Sequence, residues 1–250
     1  MSYQTVFKRY ELKYMLTPEQ KETILRTMEP YMSLDKYGRT TIRNIYLDTD
    51  NYRLIRRSIE RPAYKEKLRI RSYARATHDS AVFVELKKKY QGIVYKRRLH
   101  LPEKDAMKWV CGDIPRPLDS QISREIDYFI HFYSELRPKV FLSYDREAYY
   151  ERDGGEFRVT FDDNILFRQN DLRLTSPAYG TPLLNEENVL MELKCPGSIP
   201  LWMTEILSRE HIYKTSFSKY GNAYRAIIYP ENYQPKLFCS KETLIHEYVF

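Results

Sequence analysis

The sequence predicts an α+β fold dominated by one mostly antiparallel sheet of roughly eight strands, with helices inserted between them. Two observations carry that expectation. The run Tyr64-Lys65-Glu66-Lys67-Leu68-Arg69-Ile70-Arg71 puts a basic residue at every second position from Lys65 onward. Successive side chains of a strand point to opposite faces, so Lys67, Arg69 and Arg71 share one face and Leu68 and Ile70 the other. Other segments repeat the design: Val82, Val84 and Leu86 alternate with Glu85 and Lys87, and Val189, Met191 and Leu193 with Glu192 and Lys194.

In chain order, positions 7–16 read as a strand. Thr17-Pro18-Glu19-Gln20 then opens a helix, with Thr17 as N-cap, Pro18 in the first turn and Gln20 closing a capping box. Ile24, Leu25, Met28 and Tyr31 give that helix an apolar stripe. Positions 41–48 form a strand, 50–57 a short helix, and 64–73 the cationic strand. A hairpin follows, 81–90 and 93–101, turning at Gln91-Gly92. Helices at 103–110 and 120–136 flank a linker with Pro115 and Pro117, and Ile122, Ile126, Phe129, Ile130 and Tyr133 stripe the second. Strands recur at 139–150, 157–168 and 189–195, with Asp153-Gly154-Gly155 turning between the first two. Positions 170–187 read as a long loop, 199–208 as a helix, and a short helix begins near Ser216 or Ser218. The whole of 1–250 reads as one domain, with a C-terminal tail from about position 230.

At 250 residues the chain can bury a large core, and 23 tyrosines suit strands in which the ring packs while the hydroxyl bonds. The net charge of +7 points to an anionic partner: nucleic acid, phosphorylated metabolite or membrane surface. Cys111, Cys195 and Cys239 are far apart and form no CxxC pair, which argues against a disulfide framework or zinc knuckle and for a reducing compartment. The N-terminus has no apolar signal segment and no run is long enough to span a bilayer, so a soluble, cytoplasmic protein is expected. Neither GxxxxGK[ST] nor GxGxxG occurs, so the common nucleotide cradles are absent.

The polar faces of the strands share a bias. Arg9, Glu11 and Lys13 lie together, as do Glu85 with Lys87, Lys96 with Arg98, Tyr144 with Arg146, Arg158 with Thr160 and Asp162, and Glu192 with Lys194. Lys88, Lys89 and Arg97 are expected to face outward and solubilise the protein. An open sheet with one wet face accounts for the alternation but less well for the excess of bases. Like charges directly opposite cost roughly a few tenths to one kcal/mol per pair, so gathering them on one concave surface makes sense if a polyanion neutralises them. The second architecture is thus a barrel with a charged interior. Arg forks match phosphate oxygens, and glutamates among them suit Mg²⁺ or Mn²⁺ better than nucleic acid. Bases with sparse carboxylates are the equipment of phosphoryl transfer.

The segments FKRYELKY (7–14), IYLDTDNY (45–52), KLRIRSY (67–73), FVELKKKYQGIVYKRR (83–98), LSYDREAY (142–149), RVTFDD (158–163), VLMELK (189–194) and SFSKYGNAY (216–224) resemble, in order and spacing, the VTC domain. This is the polyphosphate polymerase branch of the CYTH-like triphosphate tunnel metalloenzymes. The resemblance implies a tunnel-like antiparallel β-barrel with helices outside. It implies that Lys13, Arg69, Arg71, Lys87, Lys96, Arg146, Arg158 and Lys219 bind phosphate, joined by Lys67 on the same strand face, while Tyr144 and Ser218 orient it. Glu192 would hold Mn²⁺ or Mg²⁺; Glu11 and Glu85 are more naturally holders of neighbouring bases than metal ligands. The implied reaction moves the ATP γ-phosphate onto a growing polyphosphate chain, with no nucleic acid as partner. Hydrolytic relatives open with ExExK, where this chain has Arg9, Glu11 and Lys13, a change that points to the polymerase branch. The regulatory SPX domain and membrane helices of eukaryotic members do not occur in the sequence, so a stand-alone catalytic module is expected. The alternatives are a triphosphatase or nucleotide hydrolase of the same fold, a non-catalytic polyphosphate-binding module, or a nucleic-acid binder.

Overall fold

The computed structural model of the protein describes residues 6–7, 10–60, 62–91 and 93–235. Twelve strands join one sheet. Its hydrogen-bonded path runs β1 (Val6–Phe7), β7 (Ile93–Pro102), β6 (Ala81–Tyr90), β5 (Tyr64–Ser72), β4 (Thr40–Asp48), β8 (Arg137–Glu151), β9 (Arg158–Arg168), β11 (Val189–Cys195), β2 (Tyr10–Leu16) and β12 (Lys214–Thr215). Off this path, β3 (Met32–Leu34) pairs with β8 and β10 (Thr181–Pro182) with β9. All these pairings are antiparallel.

Eight strands have seven residues or more, matching the expected number, and the other four have two or three. The expected closure into a barrel is not made by the described hydrogen bonds: the path is open, and no described pairing joins β7 to β2. Residues 8 and 9, between β1 and β2, lie outside the described residues, and so does Arg9. The tail beyond position 235, with Cys239, also lies outside them.

Local sequence explains the elements that position the site. In α1 (Pro18–Met28) the Thr17 side chain accepts from the Gln20 N–H, and the Gln20 side-chain oxygen accepts from the Thr17 N–H, forming the expected capping box. Ile24 and Met28 are buried, whereas Tyr31 lies beyond the helix end and stacks on Trp202 at 4.6 Å. The hairpin turns where expected, with Gln91 at φ 45°. Helix α4 (Gln121–Phe132) is shorter than read, because Ser120 caps its start and the chain leaves helical geometry at Tyr133.

Apolar side chains on the sheet's outer face pack under two pairs of helices. Leu68, Ile70, Val82, Val84 and Leu86 meet Trp109 of α3 (Glu103–Cys111) and Ile126 and Phe129 of α4. Val159, Phe161, Met191 and Leu193 meet Ile24 and Met28 of α1 and Met203 and Ile206 of α5 (Leu201–Arg209). Each fully buried Leu or Ile contributes about 1.5–3 kcal/mol, so the alternation fixes which face is dry.

One helix departs from the expectation that all pack outside. Helix α6 (Lys219–Ile228) lies over the opposite face, where Phe217, Tyr220 and Ala223 pack against Ile42, Leu142 and Leu190. It is anchored by Tyr220, which stacks on Tyr46 at 4.5 Å and donates to Asp48 at 2.9 Å. The buried Asp48 carboxylate also accepts the N–H groups of Leu54 and Ile55 in α2 (Arg53–Ile59). The apolar end of the inner face is therefore plugged, and the charged side chains continue from that plug.

Candidate functional site: a charged inner face

Strand register brings the charged residues into rows across the sheet. One row is Tyr46, Arg69, Glu85 and Arg98, on β4, β5, β6 and β7. The next is Lys67, Lys87 and Lys96. On the other limb, Ala148, Thr160, Glu192 and Lys13 form a row, flanked by Arg146 with Asp162 and by Tyr150, Arg158, Lys194 and Glu11. Register partners project to the same side, so these residues line one surface.

Glu85 is the hub of the first limb and is only 1% exposed. Arg69 donates to its Oε2 at 2.7 and 2.9 Å, and Arg98 Nε and Lys96 approach Oε1 at 2.7 and 2.8 Å. Burial pushes the Glu85 pKa up, but Arg69, Arg71, Lys96 and Arg98 outweigh it and hold the carboxyl well below its ordinary range. Both oxygens are committed to bases, the arrangement of a holder rather than a metal ligand. Arg71 donates to Asn44 Oδ1 at 2.9 Å and to the Tyr144 hydroxyl at 3.2 Å.

The second hub pairs two carboxylates, Asp162 and Glu192. Arg146 grips both oxygens of Asp162 at 2.5 and 2.6 Å, and Lys219 reaches Oδ2 at 2.5 Å. Glu192 has Lys13, Lys219, Arg146 and Lys194 around it at 3.3–3.4 Å. Burial raises the Glu192 pKa, and Lys219, Lys13, Lys194 and Arg146 more than reverse this, holding it well below its usual value. Lys219 loses by burial but gains more from Asp162 and Glu192, so its pKa is raised. Its ammonium and the Arg146 guanidinium both lie over the Tyr144 ring, at 4.5 and 5.0 Å. Ser218 is the N-cap of α6, accepting the Gly221 N–H at 3.1 Å, which sets Lys219 on the first turn.

Between the limbs stand the looser groups. Glu11 lies 3.7 Å from both Lys13 and Lys87, and its pKa is lowered to about 2 chiefly by Lys87. Lys67 faces Lys87 in register and makes no ion pair among the described residues. Burial, then Lys87, Lys65, Lys13 and Arg69, lower its pKa to about 7. Burial likewise lowers Lys96 to about 8 against the pull of Glu85. Arg158 has no carboxylate partner among the described residues; it lies 4.7 Å over the Tyr150 ring with its Nε buried and unbonded.

All the site residues expected from the sequence thus share this face or border it. The alternation places Arg98, Lys194 and Asp162 on this surface without assigning them a role, and sequence reading misses Asn44 and Tyr46. Lys194 and Arg98 carried the alternating signal, whereas Asn44 and Tyr46 sit in a strand with no charge pattern. On the outer face Arg97 bonds Glu125 at 2.8 Å and Lys88 lies 3.9 Å from Glu66, as their alternation requires; Lys89, also expected to face outward, stands two residues from Lys87 on the same strand and so projects to the charged side. A groove of about 430 Å³ between α1, β3 and β8 contains none of the charged-face residues.

Among the described residues no group of three or more His, Cys, Asp or Glu side chains gathers in a metal-binding arrangement. The carboxylates present still suit a hard cation. Mg²⁺ is commonly held by one or two carboxylates with phosphate oxygens completing its shell, and Glu192, near enough to Glu11 to oppose the lowering of the Glu11 pKa, could act with it as such a pair. No described helix is long and apolar enough to cross a membrane.

Comparison with known proteins agrees with this geometry. Two solved structures share the fold. A candidate adenylate cyclase from Bacillus halodurans superposes with a TM-score of 0.53 at 16% identity, covering 86% of this chain and 96% of that one. A candidate adenylyl cyclase from Hippeastrum, with a dominant triphosphatase activity, superposes with a TM-score of 0.53 at 15% identity, covering 86% and 94%. Among curated proteins none matches. The family model of the VTC domain matches residues 8–228, so the chain belongs to the VTC domain family.

Proposed function

We propose that the protein is a metal-dependent polyphosphate polymerase that transfers the ATP γ-phosphate to a polyphosphate chain lying along the charged inner face. The observation that carries this reading is the convergence of Lys13, Arg69, Arg71, Arg146 and Lys219, from three strands and a helix, around only a few buried carboxylates. Such an excess of cations suits a polyanion with closely spaced charges. Closure of the sheet into a tunnel belongs to the same reading. β1 pairs with β7 while β2 pairs with β11, yet Phe7 and Tyr10 are three residues apart, a reach of roughly 10 Å. The first strand of the sheet path, β1, and its last strand but one, β2, therefore lie close together in the chain.

In the proposed reaction an oxygen of the chain-terminal phosphate attacks the γ-phosphorus in line. A new P–O bond forms, the β–γ bridging P–O bond breaks, and ADP leaves with the electron pair. Arg69, Arg71, Arg146 and Lys219 fix the phosphates, and Lys67, Lys87 and Lys96 receive the chain toward the more exposed end. Glu192, with Glu11 beside it, would hold a Mn²⁺ or Mg²⁺, which would supply neutralisation of the crowded phosphate oxygens. No side-chain nucleophile is required, and no phosphoenzyme forms.

Purified protein incubated with ATP and Mn²⁺ should yield long polyphosphate on a stained gel. Orthophosphate as the sole product rejects polymerisation in favour of the triphosphatase reading, for which the Hippeastrum relative is the precedent. Absence of turnover with retained tripolyphosphate affinity supports a binding module. Duplex nucleic acid should fail to compete with tripolyphosphate.

A further inference from the structure

Four cations surround Glu192, yet none is within 3.2 Å of it. At least three of them are held closer by something else. Lys13 donates to the Phe217 carbonyl at 2.8 Å. Lys219 lies 2.5 Å from Asp162 and 3.3 Å from Glu192. Arg146 Nη2 lies 2.6 Å from Asp162 and 3.4 Å from Glu192. Asp162 is fully buried; its Oδ1 accepts from Arg146 and its Oδ2 from both Arg146 and Lys219. It sits on β9 and receives partners from β8 and α6, so it fixes where a helix and a strand place their charges.

A carboxylate that binds a hard cation must offer lone pairs at about 2.0–2.2 Å, which a tightly bonded ammonium or guanidinium would occupy. We propose that Asp162 is a positioning residue that draws Arg146 and Lys219 off Glu192, leaving Glu192 able to take a divalent cation. The proposal rests on the reading of Glu192 as the metal-holding residue. Its action runs through the two bases, not through direct ligation by Asp162.

The test is a Mn²⁺ titration of the full chain followed by electron paramagnetic resonance, without nucleotide. Asp162→Asn should weaken Mn²⁺ binding about tenfold, in the range of outer-sphere changes at metal sites. In a Lys219→Met background the same change should weaken it about threefold or less, because one of the two bases it restrains is gone. Asp162→Glu, which keeps a carboxylate for folding and for both bases, should stay within about twofold. Tripolyphosphate affinity in EDTA should not fall in Asp162→Asn. An undiminished effect in the Lys219→Met background overturns the proposal. So does an Asp162→Glu loss as large as that of Asp162→Asn, since a direct ligand is sensitive to arm length. Lower tripolyphosphate affinity in Asp162→Asn also overturns it, as that marks a general structural role. Wild-type protein that binds no Mn²⁺ refutes the metal role of Glu192, whereas unchanged Mn²⁺ affinity in Asp162→Asn alone refutes only the role of Asp162.

Discussion

Replacing Glu85 by Gln isolates the charge at the first hub. The variant keeps volume and an acceptor oxygen but leaves Arg69, Arg71, Lys96 and Arg98 without their shared anion. Removing one partner of a buried ion pair costs roughly 3–5 kcal/mol. Here Lys96 and Arg98 side chains are 40% and 35% exposed and can turn to water, so the loss should be nearer about 2–4 kcal/mol. For a chain of this size that lowers Tm by roughly 5–15 °C. The carboxyl pKa is lowered on folding, so its contribution is fully present above its ordinary value of 4.5 and fades as pH falls through the depressed folded value. The gap between wild type and variant should therefore narrow on acidification. The same loss frees four cations for substrate. Tripolyphosphate should raise Tm more in Glu85→Gln than in wild type, because the anion replaces the missing charge. Scanning calorimetry with and without tripolyphosphate, at pH 7 and pH 4, measures all three effects. A loss below about 1 kcal/mol, or an equal ligand-induced rise in both proteins, would refute the claim that Glu85 stands in for a bound polyanion.

Two further outcomes follow from other parts of the face. Lys67 and Lys96, lowered to about 7 and about 8, lose their charge as pH rises, and a bound polyanion favours the charged form. Tripolyphosphate affinity should thus be highest below pH 7 and fall about three- to tenfold by pH 9. Lys67→Arg should flatten that profile between pH 6.5 and 8 in calorimetric titrations, and an unchanged profile would contradict the assignment. Tyr220→Phe removes the 2.9 Å bond to Asp48 that anchors α6, and should cost about 1 kcal/mol in urea unfolding. Because Lys219 precedes Tyr220, its KM for ATP should also rise; unchanged stability and KM would show that α6 is held by apolar packing alone.

Much of this architecture was legible in the sequence because its strands alternate strictly. Leu68 and Ile70 against Arg69 and Arg71 identify both faces, and the Gln91-Gly92 turn fixes the hairpin register that sets Glu85 between Arg69 and Arg98. The capping box at Thr17 and the cap at Ser218 announce their helices for local reasons. Other features depended on distant contacts. Strands β3, β10 and β12 are too short to have a period. The inward position of α6 rests on Tyr220 meeting Asp48, a pairing 172 positions apart. The contact of Asp162 with Lys219 was hidden because a carboxylate two residues from Thr160 looks like any other polar strand position until Lys219 arrives from the helix.

The central claim, that the charged inner face receives a chain of phosphates, is tested most directly by a crystal structure with bound tripolyphosphate. The account predicts the anion within hydrogen-bond distance of Arg69, Arg71, Arg146 and Lys219. It also predicts that Lys96 and Arg98 move off Glu85 toward phosphate oxygens. An anion bound on the outer face, with the contacts to Glu85 and Asp162 unchanged, would contradict it.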